Sequence, residues 1–292
     1  MSLQVANSAH NRRRKLVDAS FRFVCMAAAG VGVLLLIVFL YKIVSDGIGR
    51  LSPGFITNGL SARAKRTGLL EPILGSLYVM FLTGLIAVPI GVAAAVYLEE
   101  FNARKNRITN FIQLNIANLA GVPSIVYGLL GLAVFVRWMH LGTSLIAGAL
   151  TMSLLILPMV IIVTQEALKA VPKSYREASL ALGSTPWQAI RYQVLPNAAG
   201  GIFTGIILAI SRAIGETAPL IVVGAASMVK EPPSGLSSGY TALPIKIFDW
   251  SLEARAEFHS VAATAILVLI VTLLLLNSVA ITLRARARAK AR

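Results

Sequence analysis

Five stretches of this chain run without a single Asp, Glu, Lys or Arg: 23–41, 72–98, 108–136, 138–165 and 260–283. A sixth, 192–229, is interrupted only by Arg212 and Glu216. Each is about as long as the roughly 20 apolar residues a helix needs to cross a bilayer. Charged residues make up 13% of 292 positions, against about 25% in soluble proteins, so much of the apolar surface must face lipid. Membrane barrels would show alternation over about 10 residues rather than unbroken runs. Helices satisfy their own backbone in lipid. The expected fold class is therefore all-α, a polytopic membrane protein with six transmembrane helices near 21–44, 73–98, 113–137, 143–164, 200–225 and 259–283.

A formal charge of +15 invites a nucleic-acid reading, but its distribution argues for a membrane. Basic clusters flank the chain at Arg12, Arg13, Arg14 and Lys15, and at Arg284, Arg286, Arg288, Lys290 and Arg292. With six spans both termini share a side, which also receives Arg104, Lys105, Arg107, Lys169, Lys173, Arg176 and Arg191. Adding Arg22, 17 basic residues lie there against 9 opposite, with Arg212 inside. Lys and Arg concentrate in the cytoplasm, so both termini are expected to be cytoplasmic, with the tails against anionic headgroups. Arg63, Lys65 and Arg66 fall on the other side and weaken that bias.

Residues 1–18 read as a disordered basic cytoplasmic tail and 19–292 as the membrane domain. The first run, 19 uncharged residues, exceeds the 7–15 of a signal-peptide core and precedes Lys42. The lone Cys25 reads as a packing residue. There is no G-x-x-x-x-G-K-[ST] phosphate loop, and one Cys with three scattered His makes no metal set. Neither a cofactor nor a catalytic triad is expected on this chain. Outside the membrane, 45–71 carries the Arg63 patch, and 226–258 ends in an apolar run from Leu243 to Trp250 suited to lie at the interface or plug an external mouth.

Between two apolar segments lies a polar stretch, about 165–199, whose centre reads EASLALGSTPWQAIRYQVLP from Glu177 to Pro196. Ser174 and Glu177 have capping-box spacing, and Gly183 suits a helix stop. A second short helix is expected after Pro186, ending before Pro196. Such a pair presents an apolar anchor face for a partner groove; an amphipathic loop resting on the membrane is the competing reading. Glu177, Ala178, Gly183, Leu195 and Pro196 are the candidate coupling residues.

The fifth span carries Arg212 and Glu216 one turn apart, with Arg212 near its midpoint. A lone charge there costs at least about 2.5–3.5 kcal/mol, which the i,i+4 pairing reduces. Pro219 leaves the Gly215 carbonyl without its donor, allowing a kink. A guanidinium suits a tetrahedral oxyanion, and Glu216 can accept a hydrogen bond from protonated phosphate, which sulfate does not offer. In the third span, Gly121-Val122-Pro123-Ser124 opens the backbone near Tyr127. Arg212, Glu216, Thr217, Ser124 and Tyr127 form the candidate substrate path. The alternatives are a helix-locking charge pair, with Ser124 satisfying freed backbone and Tyr127 packing. Asn277 reads as an interhelical hydrogen-bonding residue.

The Glu177–Pro196 stretch resembles the cytoplasmic EAA loop of ABC importer permeases, departing from it at Ser179 and Gln193. G-V-P-S-I-V-Y-G at 121–128, R-A-I-G-E-T-A-P-L at 212–220 and T-A-L-P at 241–244 are similar to the PstA-type permeases of the bacterial phosphate-specific ABC importer. The likeness spans about 70–285 and is least over the first 70 residues. It implies a type I ABC importer permease of the bacterial inner membrane, paired with a PstC-like sister permease, two copies of a PstB-like ATPase that binds ATP and magnesium, and an external PstS-like phosphate receptor. It also places Arg212 and Glu216 on the translocation path. A permease for another oxyanion or small solute, or an ion-coupled transporter with Glu216 carrying a proton, would share many of these features.

Overall fold

A computed structural model describes residues 2–101, 106–225, 229 and 231–290. Arg104, Lys105, Lys230 and Arg292 of the charge tally lie outside that set, as do the side chains of Arg12, Arg13, Arg284, Arg286, Arg288 and Lys290. Among the described residues every regular element is helical. Helix α1 spans Ser2–Gly47. It includes most of the stretch read as a disordered tail, for no Gly or Pro interrupts the chain before Gly30. After a tight 3₁₀ turn and the short α2 (Pro53–Thr57), α3 runs over Leu70–Val96 and continues as a wide π turn, Tyr97–Phe101.

The third expected span is not one helix. α4 (Arg107–Ala120) and α5 (Ser124–Gly131, continued by a π segment to Trp138) meet at 102°. The break falls at Gly121-Val122-Pro123, where proline removes a backbone donor and disfavours helix in the residue before it. α6 (Leu145–Lys169) is the central helix, more buried than any other candidate span among the described residues. Met152, Ile156 and Val160 of α6 pack with Val79 and Ala87 of α3, and with Ala209 and Ala213 of the fifth span, in the main core. Ser153 of α6 also donates to the Thr83 carbonyl of α3 at 3.4 Å.

The polar hairpin follows as α7 (Lys173–Ala181) and α8 (Pro186–Ala189). α8 does not stop before Pro196. It passes through a π turn, Ile190–Val194, directly into α9 (Leu195–Ile214), making one span of 29 residues. Pro196 is tolerated because it sits in the first turn of α9, just beyond the widened π turn. α10 (Ala218–Val223) follows a break at Gly215–Thr217. α11 (Leu243–Leu252) is packed into the bundle: Leu243 and Trp250 join Phe55, Leu69 and Phe258 in a second core, while Ile245 joins the main core. α12 (Ala256–Lys290) packs against the end of α1, where Ile43 and Gly47 are buried and Thr264 Oγ1 donates to the Gly47 carbonyl at 2.8 Å. The most apolar stretch of α1 buries nothing against the rest of the chain.

Candidate functional site

α3 fixes the geometry of both candidate regions. With its π turn it covers 32 residues, about 48 Å at 1.5 Å per residue. The hairpin packs at its Phe101 end and the Arg63 loop precedes its Leu70 end.

Arg212 is not at the middle of its span. Because the helix starts at Pro186 and ends at Ile214, Arg212 occupies the last turn. There a cation faces the unpaired carbonyls of the helix terminus, which favour positive charge. The chain leaves the helix through tight bonds, Gly215 N to Arg212 O at 3.2 Å and Glu216 N to Ala213 O at 3.1 Å. Thr217 begins α10 by accepting Ile221 N at 3.1 Å, and Pro219 sits in that helix's first turn rather than kinking a continuous one. Arg212 Nε lies 3.7 Å from Glu216 Oε1, with side-chain exposures of 65% and 20%. That separation exceeds a good charge-assisted hydrogen bond, so the pair neutralises without saturating the guanidinium fork. Beside it, Ser211 Oγ bonds Asn277 Oδ1 across to α12, the interhelical role expected of Asn277.

The two broken spans meet here. A Cβ at Gly128 of α5 would lie 2.8 Å from Pro219 Cα and 3.0 Å from Val222 Cβ, so α5 and α10 touch backbone to backbone. Tyr127 is buried and its hydroxyl donates to the Leu119 carbonyl at 2.8 Å. It thereby ties α5 to α4 across the bend, giving a second donor to a carbonyl that already accepts Val122 N at 3.1 Å. Ser124 is half-buried in the first turn of α5. Among the described residues no hydrogen bond or ion pair joins Arg212 or Glu216 to Ser124 or Tyr127. An apolar groove of about 570 Å³ is lined by Met80, Phe81, Ile210, Ile214 and Thr272 among others. It carries no ionisable side chain and suits no oxyanion.

In the hairpin, Pro172 rather than Ser174 precedes the first helical residue, and no side chain caps α7. The capping box lies in the second arm: Thr185 Oγ1 accepts Gln188 N at 3.3 Å, and Gln188 Oε1 accepts Thr185 N at 2.8 Å. The T-x-x-Q spacing in the sequence was the available signal. Gly183 ends α7 at φ +85°, with its N–H on Leu180 O at 2.9 Å, the left-handed stop that glycine adopts at low cost. Glu177, Ala178 and Gly183 are exposed, as are Leu180 and Trp187, while Leu182 is 88% exposed. Leu195 is half-buried and Pro196 exposed where the second arm becomes a span.

The chain matches the family described as "Binding-protein-dependent transport system inner membrane component" over residues 87–289. It is 39% identical to the probable ABC transporter permease protein YqgI of Bacillus subtilis, over 67% of this chain and 66% of that one. The chain thus spans just under two thirds of YqgI. It is 34% identical to the phosphate transport system permease protein PstA 2 of Mycobacterium bovis, over 81% of this chain and 78% of that one. To the phosphate transport system permease protein PstA of Haemophilus influenzae it is 31% identical, over 80% and 81%. Among solved structures, the inward-facing MetNI methionine ABC transporter superposes with a TM-score of 0.61 at 18% identity, over 75% of this chain and 95% of that one. That likeness carries the fold, a type I ABC importer permease. The sequence match runs from within α3 through the hairpin and both broken spans almost to the end of α12. The chain belongs to the family of binding-protein-dependent transport system inner membrane components, the multi-pass permease subunits of ABC importers.

Proposed function

We propose that this chain is one membrane-spanning half of an ATP-driven importer of inorganic phosphate. The observation that carries this reading is the exposed guanidinium of Arg212 at the end of α9, held 3.7 Å from a half-buried Glu216 at the helix break. A planar fork with donors to spare matches a tetrahedral oxyanion. Glu216 beside it provides an acceptor for the proton that phosphate carries and sulfate lacks. Thr217, Ser124 and Tyr127 belong to the same pair of broken helices, and irregular backbone at membrane depth is tolerated where it lines a cavity. The PstA proteins among the relatives point to the same substrate.

In this reading a PstC-like sister permease completes the path. Two copies of a PstB-like ATPase bind ATP and magnesium and dock on the hairpin through Glu177, Ala178 and Gly183, with Leu195 and Pro196 passing the motion into α9. A PstS-like receptor delivers phosphate from outside. Both termini and the hairpin face the cytoplasm. To swing the cavity from 1:99 to 99:1 outward-facing, ATP must favour one state by about 5.5 kcal/mol.

The test is labelled-phosphate uptake in cells lacking this chain, complemented with wild type or Arg212→Gln at matched membrane levels. Wild type is expected to restore uptake that cold phosphate blocks and sulfate does not. Arg212→Gln should lower uptake about ten- to hundred-fold, as loss of a charge-assisted contact of 1.5–3 kcal/mol implies. Equal uptake by both would remove Arg212 from the path; no rescue by wild type would remove phosphate as the substrate.

A further inference from the structure

Arg176 leaves the first arm of the hairpin and turns back onto the bundle. Its Nε donates to Glu100 Oε2 at 2.9 Å and its Nη2 to Glu100 Oε1. Nη1 also donates to the Val171 carbonyl at 2.9 Å, and Nη2 to the Leu168 carbonyl at 3.0 Å. One guanidinium thus joins α7, the end of α6 and the end of α3. Glu100 is only 7% exposed and Arg176 22%, unlike the exposed pairs that contribute little. The geometry is the fork-to-carboxylate form that adds directional specificity to charge.

The second arm reaches the same place. Phe101, next to Glu100, stacks on Trp187 with ring centroids 6.4 Å apart and planes at 29°. Both arms therefore hold the single π turn Tyr97–Phe101 at the end of α3. Such turns insert an extra residue into a helix and recur at functional positions. Farther along, α3 lies against α9: Ile210 Cδ1 is 3.5 Å from where a Cβ on Gly84 would stand. Ile210 precedes Arg212 by two residues.

We infer that Glu100 and Arg176 are positioning residues for transport. Their bond locks the hairpin to α3, so a displacement of the hairpin is delivered to the helix that braces the Arg212 end of α9. This inference rests on the hairpin being the ATPase contact. It adds a second route beside the direct continuity of α8 into α9, and it requires both arms to move α3 and α9 together.

The test uses the complete transporter in proteoliposomes, with ATP hydrolysis and labelled-phosphate uptake measured in the same vesicles. Glu100→Gln keeps the size of the side chain and leaves Arg176 its two carbonyl partners, so assembly is retained. In Glu100→Gln and Arg176→Gln, uptake is expected to fall about ten-fold while hydrolysis changes less than about two-fold, within the range of ordinary coupling effects. The double variant should lose no more than Arg176→Gln alone, because that substitution already removes the Glu100 bond together with the two carbonyl contacts. Hydrolysis and uptake falling in proportion, additive losses, or unchanged uptake would each overturn the proposal.

A readout independent of substrate accompanies it: maleimide labelling of Asn118→Cys in a Cys25→Ser background, with and without ATP. Asn118 is exposed beside the α4–α5 bend. ATP-dependent labelling should be present with Glu100 and absent with Gln. If that holds although the Glu100 transporter moves no phosphate, the clamp stands and the substrate assignment fails. If ATP-dependent labelling survives Glu100→Gln, the clamp fails whatever the substrate.

Discussion

Tyr240 is entirely buried against α6, yet its hydroxyl has no hydrogen-bonding partner among the described residues. Burial pushes the phenol pKa well above its ordinary value, so the ring stays neutral at any physiological pH, but the unpaired hydroxyl still carries a desolvation cost of about 1–3 kcal/mol. Tyr240→Phe should therefore raise the thermal midpoint of the detergent-purified protein or leave it unchanged. A lower midpoint would mean that a buried water satisfies the hydroxyl. Tyr127 is the counterexample, a buried phenol whose hydroxyl closes on Leu119 O at 2.8 Å. The same residue type thus serves as filler in one place and as a fastener in the other. From sequence, Tyr127 stood equally as a path residue and as packing, because a tyrosine one turn after a proline does not reveal which carbonyl its hydroxyl will reach.

At the scale of elements, two interrupted helices are pressed together where α5 meets α10. The contact of Gly128 with Pro219 leaves no room for a methyl group, since the nearest atom is backbone, 2.8 Å from a Cβ. Gly128→Ala should force α5 away from α10, at about 1–3 kcal/mol of overpacking strain. Expected is a protein that still inserts but takes up phosphate markedly more slowly at matched membrane level; unchanged uptake would show that α5 and α10 need not stay in contact. Pro123, Gly215 and Pro219 marked both breaks in the sequence. Their consequence was not legible, because a proline specifies a lost donor and not the 102° direction the next helix takes. The same limit hid the position of Arg212. Apolar runs fix the presence of a span, whereas its ends shifted to Pro186 and Ile214 once the hairpin's second arm proved continuous with it. The Glu100–Arg176 bond joins residues 76 apart, and neither periodicity nor spacing points to it.

For the molecule as a whole, two kinds of exposed apolar surface have different meanings. The apolar side chains from Val31 to Phe39 of α1 are exposed within the candidate membrane span Val17–Arg50, where lipid accounts for them. Leu182 is exposed in the polar hairpin, outside every candidate membrane span among the described residues. Lipid hydrocarbon does not account for it; under the proposed function it is the apolar anchor for a groove on the ATPase. Leu182 sits just past the end of α7 beside the left-handed Gly183, so its side chain projects at the corner between the arms. At 88% exposure it contributes almost nothing to this chain's own core. Leu182→Asp should accordingly leave insertion and the thermal midpoint of the isolated permease unchanged. Burying a leucine contributes about 1.5–3 kcal/mol, so its loss, with a carboxylate desolvated in its place, should weaken ATPase binding at least ten-fold. Co-purification of the ATPase with tagged permease, titrated in detergent, measures this directly. Binding that survives Leu182→Asp would move the docking contact off the corner and return the hairpin to the alternative of an amphipathic loop lying on the membrane surface.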